Sequence, residues 1–279
     1  MIKLAISFIF LFPFFCGTAQ RTRFTTFRGM SNYNGDIQLK RFTFQDAHVA
    51  AGIGLAYELT EQLYVITGIK YGKISATDSG TINKKRNLNF TSIITEFHAG
   101  LEYDFINLNE RDLTPYIFGG IAVFHFNPYT KNLSNQKIYL QPLGTEGQGF
   151  FNGRKKYALT TFSIPVGGGF KFALTNNIRI GIEVGFRKTF TDYIDDVSTT
   201  YVNQEALLIN NGAAAVAMAF RGDELKNHLP YPAAGVKRGN PKRTDLYYFS
   251  GITASYRLDA YTNYGYLSKY KMACPRNVF

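Results

Sequence analysis

The chain has 279 residues and a formal net charge of +11, with 31 Lys and Arg against 20 Asp and Glu. It carries 19 Tyr, 25 Phe and 26 Gly, no Trp, and a mean hydropathy of −0.14. Beyond the N-terminus no run is apolar enough to span a membrane as a helix, so its apolar residues must be dispersed by alternation. The charge implies affinity for polyanions, and for an exported chain lipid phosphate suits this better than nucleic acid.

The first segment reads as a secretory signal, residues 1–19. Lys3 is a short positive region, Leu4 to Phe15 an apolar stretch, and Gly17-Thr18-Ala19 small residues before Gln20, with cleavage expected after Ala19. Cys16 follows Phe14 and Phe15, which are too bulky for lipoprotein processing. Removal of the signal leaves Cys274 as the sole cysteine, which excludes an intramolecular disulfide and a Cys/His metal cluster.

Eight stretches then alternate with period two: 24–37, 47–59, 63–75, 91–105, 115–127, 157–173, 177–190 and 246–258. Each exceeds the roughly 9–11 tilted residues a strand needs to cross a bilayer. In the second, Val49, Ala51, Ile53, Leu55 and Tyr57 oppose Ala50, Gly52, Gly54, Ala56 and Glu58. In the fourth, Ile93, Phe97, Leu101, Tyr103 and Phe105 oppose Ser92, Glu96, His98, Gly100, Glu102 and Asp104. The seventh sets Ile178, Ile180, Ile182, Val184 and Phe186 against Arg179, Gly181, Glu183, Gly185 and Arg187.

Alternation alone leaves open which face points outward. Glycines share the charged face (Gly52, Gly54, Gly68, Gly72, Gly100, Gly181, Gly185 and Gly251), as suits a crowded lumen. Aromatics mark the strand ends on the apolar face. Tyr57, Tyr103, Phe105, Tyr116, Phe172 and Tyr256 are expected in one girdle. Tyr71, Phe124, Phe126, Phe186 and Tyr248 are expected in the other. Together these predict an all-β, eight-stranded antiparallel up-and-down transmembrane barrel over residues 20–258. Connections at 60–62, 107–113 and 175–177 are short, and those at 38–46, 76–90, 128–156 and 191–245 are long. Outer-membrane barrels keep short turns in the periplasm, so both termini and the tail 259–279 are expected there, with the long loops extracellular.

The expected lumen carries Glu58, Glu96, Glu102, Asp104 and Glu183 with Arg28, Lys70, Lys171, Arg179, Arg187 and Arg257. Buried charges of both signs should pair, giving an ion-pair network that closes the barrel. A narrow channel is the alternative.

Catalytic signatures are absent: there is no G-x-S-x-G, H-E-x-x-H, P-loop or strand-following G-x-G-x-x-G. His48, His98, His125 and His228 are scattered. His98, with Glu96 and Ser92 on the same face, admits a lipid-hydrolase reading, but its mid-strand position suits a hydrogen-bonded lumen histidine. We therefore expect no enzyme and no cofactor. Asp192, Asp195 and Asp196 open the longest loop and could collect a hard cation or, more plainly, cap a strand end. Basic clusters at Lys84-Lys85-Arg86, Arg154-Lys155-Lys156, Lys237-Arg238 and Lys242-Arg243 lie in the long loops, placed to meet lipid phosphates or a partner. The chain ends in Phe279, resembling the terminal aromatic by which assembly machinery recognises barrels, some twenty residues after the last expected strand.

Several segments resemble the PorG-like outer-membrane β-barrels of Bacteroidota. They are Asn32-Tyr33-Asn34-Gly35-Asp36, Pro115-Tyr116-Ile117-Phe118-Gly119-Gly120, the stretch from Leu140 to Gly149, the stretch from Arg187 to Ser198, and Tyr248-Phe249-Ser250-Gly251. The resemblance covers nearly the whole mature chain. It implies a non-catalytic barrel with no catalytic residues to transfer, and a role in type IX secretion beside a periplasmic ring of PorK- and PorN-like proteins. Paralogues share the pattern, so secretion and general envelope organisation both stand as expected roles.

Overall fold

The structure is a computed structural model that describes residues 21–38, 43, 46–151 and 153–258. The expected signal at 1–19 and tail at 259–279, with Cys16 and Cys274, lie outside the described residues. Eight long strands form a closed antiparallel barrel. They are β1 (Thr22–Asn34), β2 (His48–Glu58), β3 (Leu63–Thr77), β4 (Asn89–Asp104), β5 (Leu113–His125), β8 (Thr160–Ala173), β9 (Ile178–Thr189) and β10 (Leu246–Arg257). Each pairs with both neighbours in the order β3-β2-β1-β10-β9-β8-β5-β4, and β3 pairs with β4 to complete the ring. The register Phe24↔Tyr256 through Asn34↔Leu246 joins the first strand to the last. A closed ring leaves no unpaired edge, as hydrocarbon requires of a spanning sheet.

The apolar face points outward. Val49 is 72% exposed, Phe97 55% and Ile182 60%, while Glu96 and Arg187 are wholly buried. A soluble barrel would invert this pattern. The fold is that of a transmembrane barrel: its exterior is hydrocarbon-compatible and its lumen holds the charges. No helix among the described residues is long and apolar enough to cross a membrane.

Five side chains depart from the sequence expectation. Tyr116, Phe124 and Phe126 are buried inside and join no girdle. Both faces of β5 are apolar, so its alternation carries no phase; pairing with β4, Gly100↔Gly120 and Glu102↔Phe118, turns Tyr116, Phe118 and Phe124 inward. Tyr248 keeps the outward phase of Ile252 and Tyr256, but Thr43 covers it, its backbone 3.4 Å from the phenol oxygen. Arg28, expected in the lumen, faces outward and is exposed. Its neighbour Gly29 sits opposite Gly251, with a hypothetical Cβ on Gly29 only 2.6 Å from the Gly251 Cα, and this small pair takes the inward position instead.

Among the described residues, two of the long loops carry secondary structure of their own. One contributes a hairpin, β6 (Tyr129–Lys131) with β7 (Lys137–Tyr139), that extends the sheet through Thr91↔Tyr129. Another contributes α1 (Gln204–Asn211), capped by Asn203 accepting from the Ala206 amide, and α2 (Ala213–Ala219). Their buried faces, Leu207, Ala215 and Ala219, pack with Val202 in a small second core. The main core fills the loop-side half of the lumen and continues into the loops. Phe124 stacks on Phe126, Phe126 on Tyr157, and Tyr157 on Tyr193 at 4.8 Å between ring centres, with Ile37, Ile74, Ile94, Leu140, Ile194 and Val197 around them.

Candidate functional site in the lumen and loop cap

Three tiers of paired charge occupy the lumen below the aromatic plug. In the upper tier the Arg187 guanidinium donates from Nε to Glu96 Oε2 at 2.9 Å and from Nη2 to Oε1 at 3.0 Å. Tyr247 donates to the same carboxylate at 2.7 Å, and Arg187 Nη1 donates to the Gly185 carbonyl at 2.6 Å. Gly185 is required here, because a Cβ would stand 2.5 Å from that Nη1 and 2.6 Å from the Phe118 ring. The fork geometry of guanidinium on carboxylate makes this the strongest kind of ion pair available to a buried site.

The middle tier joins Lys70 to Glu183 at 2.5 Å, with the ammonium 4.4 Å from the Phe27 ring centre and the Tyr116 hydroxyl 3.3 Å from Glu183. The lower tier gathers Lys171 between Glu102 and Asp104, the latter at 2.9 Å, and places Arg179 against the Tyr64 hydroxyl at 2.9 Å and 3.9 Å from Asp104. At the turn end Arg257 meets Glu58 at 3.1 Å, and Arg23 donates to the carbonyls of Asn176 and Asn177. The structure therefore brings each of Glu58, Lys70, Glu96, Glu102, Lys171, Arg179, Glu183, Arg187 and Arg257 to an oppositely charged partner across the lumen. Sequence reasoning missed Arg23, Tyr64, Tyr116 and Tyr247. Tyr64 shares the phase of Gly68 and Lys70, and Tyr247 that of Gly251 and Arg257, a signal present in the sequence, whereas Arg23 has the phase opposite to Arg28 and carries none.

A chamber of about 90 Å³ remains between the middle tier and the turn end, lined by Arg23, Lys70, His98, Tyr116, Lys171 and Arg179 among others. Four buried atoms at or beside it have no hydrogen-bond partner: Arg23 Nε, His98 Nδ1, Asp104 Oδ2 and Arg257 Nε. A cavity of this size and polarity suits a few ordered waters. His98 Nδ1 stands 3.5 Å from Glu96, whereas the Ser92 hydroxyl accepts from the Asn127 amide, so the structure does not join serine to histidine. His125 faces outward, with Nδ1 3.0 Å from the Thr160 hydroxyl.

A second buried polar cluster ties the loops together above the plug. Glu146 accepts from the amides of Ser198 and Thr199 and from Arg238 at 3.0 Å. Asp196 accepts from Tyr157 at 2.8 Å and from Thr145, with Arg238 at 3.7 Å. Asp195 and Asp245 both lie 2.7 Å from the Tyr33 hydroxyl, and they accept from the Val197 and Ile194 amides respectively. Arg86 holds Asp78 with two nitrogens, at 2.7 and 2.8 Å. The carboxyls of Asp195 and Asp196 thus engage protein donors, as capping residues do. Asp192 is buried with neither oxygen bonded. Among the described residues no group of three His, Cys, Asp or Glu is arranged to hold a metal ion.

Burial dominates the titration of this cluster. It pushes Asp192 up to about 8, Asp195 to about 7 and Asp196 to about 6, the last opposed by Arg238. Asp245 is raised well above the ordinary carboxylate range, by burial first and by Asp195 second. One hydroxyl proton cannot satisfy two ionised carboxylates, so the Asp195–Asp245 pair retains a proton near neutral pH.

A family described as a domain of unknown function (DUF6089) matches residues 2–226. No curated protein matches. Among solved structures the chain is similar to the Neisserial surface protein A (8% identity, TM-score 0.42, 85% of this chain and 96% of that one). It is similar to OprG from Pseudomonas aeruginosa (9% identity, TM-score 0.40, 85% and 97%) and to the outer membrane enzyme PagL (14% identity, TM-score 0.33, 84% and 98%).

Proposed function

The chain belongs to the DUF6089 family, and within it we propose a non-catalytic outer-membrane barrel that acts by docking, as a component of type IX-like protein secretion or of envelope organisation. The observation that carries this reading is the continuity of the loop cap with a filled lumen. Phe124, Phe126, Tyr157 and Tyr193 stack from the barrel wall into the loops, and Arg238, Glu146 and Asp196 lock the loops above them. A lumen plugged by close-packed rings does not suit a solute channel. A rigid cap over a closed barrel suits a fixed contact surface, since a preorganised surface loses little entropy on binding. In this reading the long loops face outward, the turns and termini face the periplasm, and the resemblance to PorG-like barrels supplies the partner class, PorK- and PorN-like ring proteins. Outer-membrane lipid surrounds the belt, and Lys73 and Lys188, on the outward face near its loop-side border, suit lipid phosphate.

The alternative of a lipid-modifying enzyme rests on His98, which lines an internal chamber away from the lipid face. The docking reading is tested by affinity purification of the tagged barrel from gently solubilised membranes, together with deletion of its gene. Ring proteins should co-purify and secreted cargo should fall. Absence of ring proteins with unchanged secretion overturns the secretion role. A lipid A profile altered by His98→Ala or His125→Ala would replace the docking reading with the enzymatic one.

A further inference from the structure

The outward face of the eight long strands is free of acidic residues, and its cations are confined to few positions. Lys73 and Lys188 stand ten residues up from the turn-side ends Leu63 and Ile178, level with the loop-side border of the apolar belt. Arg28 stands only six residues up from Thr22. It pairs in register with Ile252, midway between Tyr248 and Tyr256 on β10, and with Ala51 on β2. Arg28 is exposed, and no acidic side chain among the described residues reaches it. A guanidinium at this depth meets hydrocarbon, which is costly unless an anion or a bank of acceptors is presented to it.

Beside Arg28 the belt is indented. A groove of about 660 Å³ crosses β1, β10, β9 and β8, lined by Arg28, Met30, Gly168, Ile182, Val184 and Ser250 among others. The row Gly168–Val184–Ser250–Met30 runs in continuous register across these strands, one step above the row that contains Arg28. Small residues at such a place let another backbone approach closely, the device by which segments associate within lipid.

Charge decides what the groove receives. A second copy of this chain has no Asp or Glu on its outward strand positions, so two copies facing each other oppose cation to cation or to apolar side chains. Lipid phosphates lie at the border levels of the belt, about 10 Å from Arg28 along a strand tilted by roughly 40°. A carboxylate carried on a spanning segment can be presented at the depth of Arg28 itself. We propose that this groove, with Arg28 as its charged anchor, docks a membrane-spanning segment of a different protein that carries an aspartate or glutamate at mid-depth.

The full-length barrel in phosphatidylcholine vesicles provides the test. The probe is a synthetic Leu/Ala-rich spanning peptide of about twenty residues with one central glutamate; a second peptide has glutamine there and a third lysine. Association is read by energy transfer from peptide to labelled barrel at pH 8. The glutamate peptide should bind wild type about tenfold more tightly than the glutamine peptide, the scale of a strong polar contact inside a membrane. Arg28→Leu, which places an ordinary lipid-facing side chain on the belt, should abolish that difference while keeping the folded mobility on unheated gels. Arg28→Asp should transfer the preference to the lysine peptide, and Ser250→Trp should weaken binding by filling the groove. Equal binding of the glutamate and glutamine peptides to wild type overturns the proposal, as does a glutamate preference that survives Arg28→Leu. Displacement of the glutamate peptide by phosphatidylglycerol would assign the groove to lipid and overturn it too.

Discussion

Glu96→Ala is the most informative single change in the lumen. The Glu96 carboxylate receives two bonds from Arg187, at 2.9 and 3.0 Å, and one from Tyr247 at 2.7 Å, and neither ionic partner is exposed. Its removal leaves Arg187 with the Gly185 carbonyl as its remaining hydrogen-bond acceptor and the Phe249 ring 4.7 Å away, a charge without an ionic partner in a closed lumen. Breaking a buried pair in this way costs about 3–5 kcal/mol, and the stranded Tyr247 hydroxyl adds about 1 kcal/mol. Replacing both members by apolar side chains of similar volume removes the charge along with its partner, so Glu96→Leu with Arg187→Met should recover all but about 1–2 kcal/mol. Urea unfolding in lipid vesicles, followed by the gel mobility of unheated samples, measures both. The reasoning is refuted if Glu96→Ala lies within about 1 kcal/mol of wild type, or if the double variant is as damaged as the single one.

Other consequences are equally concrete. Asp195, Asp196 and Asp245 have folded values raised above an ordinary aspartate, so the folded cap binds more protons than the unfolded chain. Its stability should therefore be greatest near pH 4 and decline as pH rises through about 6 to 7, the values of Asp196 and Asp195. Asp245→Asn, which mimics the protonated acid, should make the cap more resistant to limited proteolysis at pH 8 and leave it nearly unchanged at pH 3.5, below the value of an unfolded aspartate. Arg238→Ala removes the buried partner of Glu146 and Asp196 and should open the cap to protease by about 3–5 kcal/mol while the barrel keeps its folded gel mobility. Leu101→Arg places a charge on the lipid face, where Leu101 is 51% exposed, and should cost about 2–4 kcal/mol in vesicle unfolding.

Legibility followed contrast between the two faces of a strand. In β9 and the turn-side part of β4, Ile182, Phe97 and Leu101 face out while Glu183, Arg179, Glu96 and Glu102 face in, a phase readable from the sequence. In β5 the inward Tyr116, Phe118 and Phe124 are as apolar as the outward Ile117, Ile121 and Val123, so the period was visible and its direction was not. In β1 the contrast misleads: the charge of Arg28 favours the lumen, although Gly29 opposite Gly251 fixes it outward. The pool of lumen charges was legible, but the pairing was not, because Lys70 finds Glu183 and Glu96 finds Arg187 across the lumen and between non-adjacent strands. The loop helices had a readable signal in Asn203 and Glu205 at the start of α1, obscured by their setting in a long connection.

The direction of the barrel's two faces is what everything else depends on, and the absence of native tryptophan allows it to be measured cleanly. Tyr116→Trp and Ile117→Trp place the probe at adjacent residues, one 2% and the other 52% exposed. In vesicles of lipid brominated on the acyl chains, fluorescence from position 117 should be strongly quenched and that from position 116 spared. Equal quenching, or quenching of position 116 alone, would contradict the inside-out barrel.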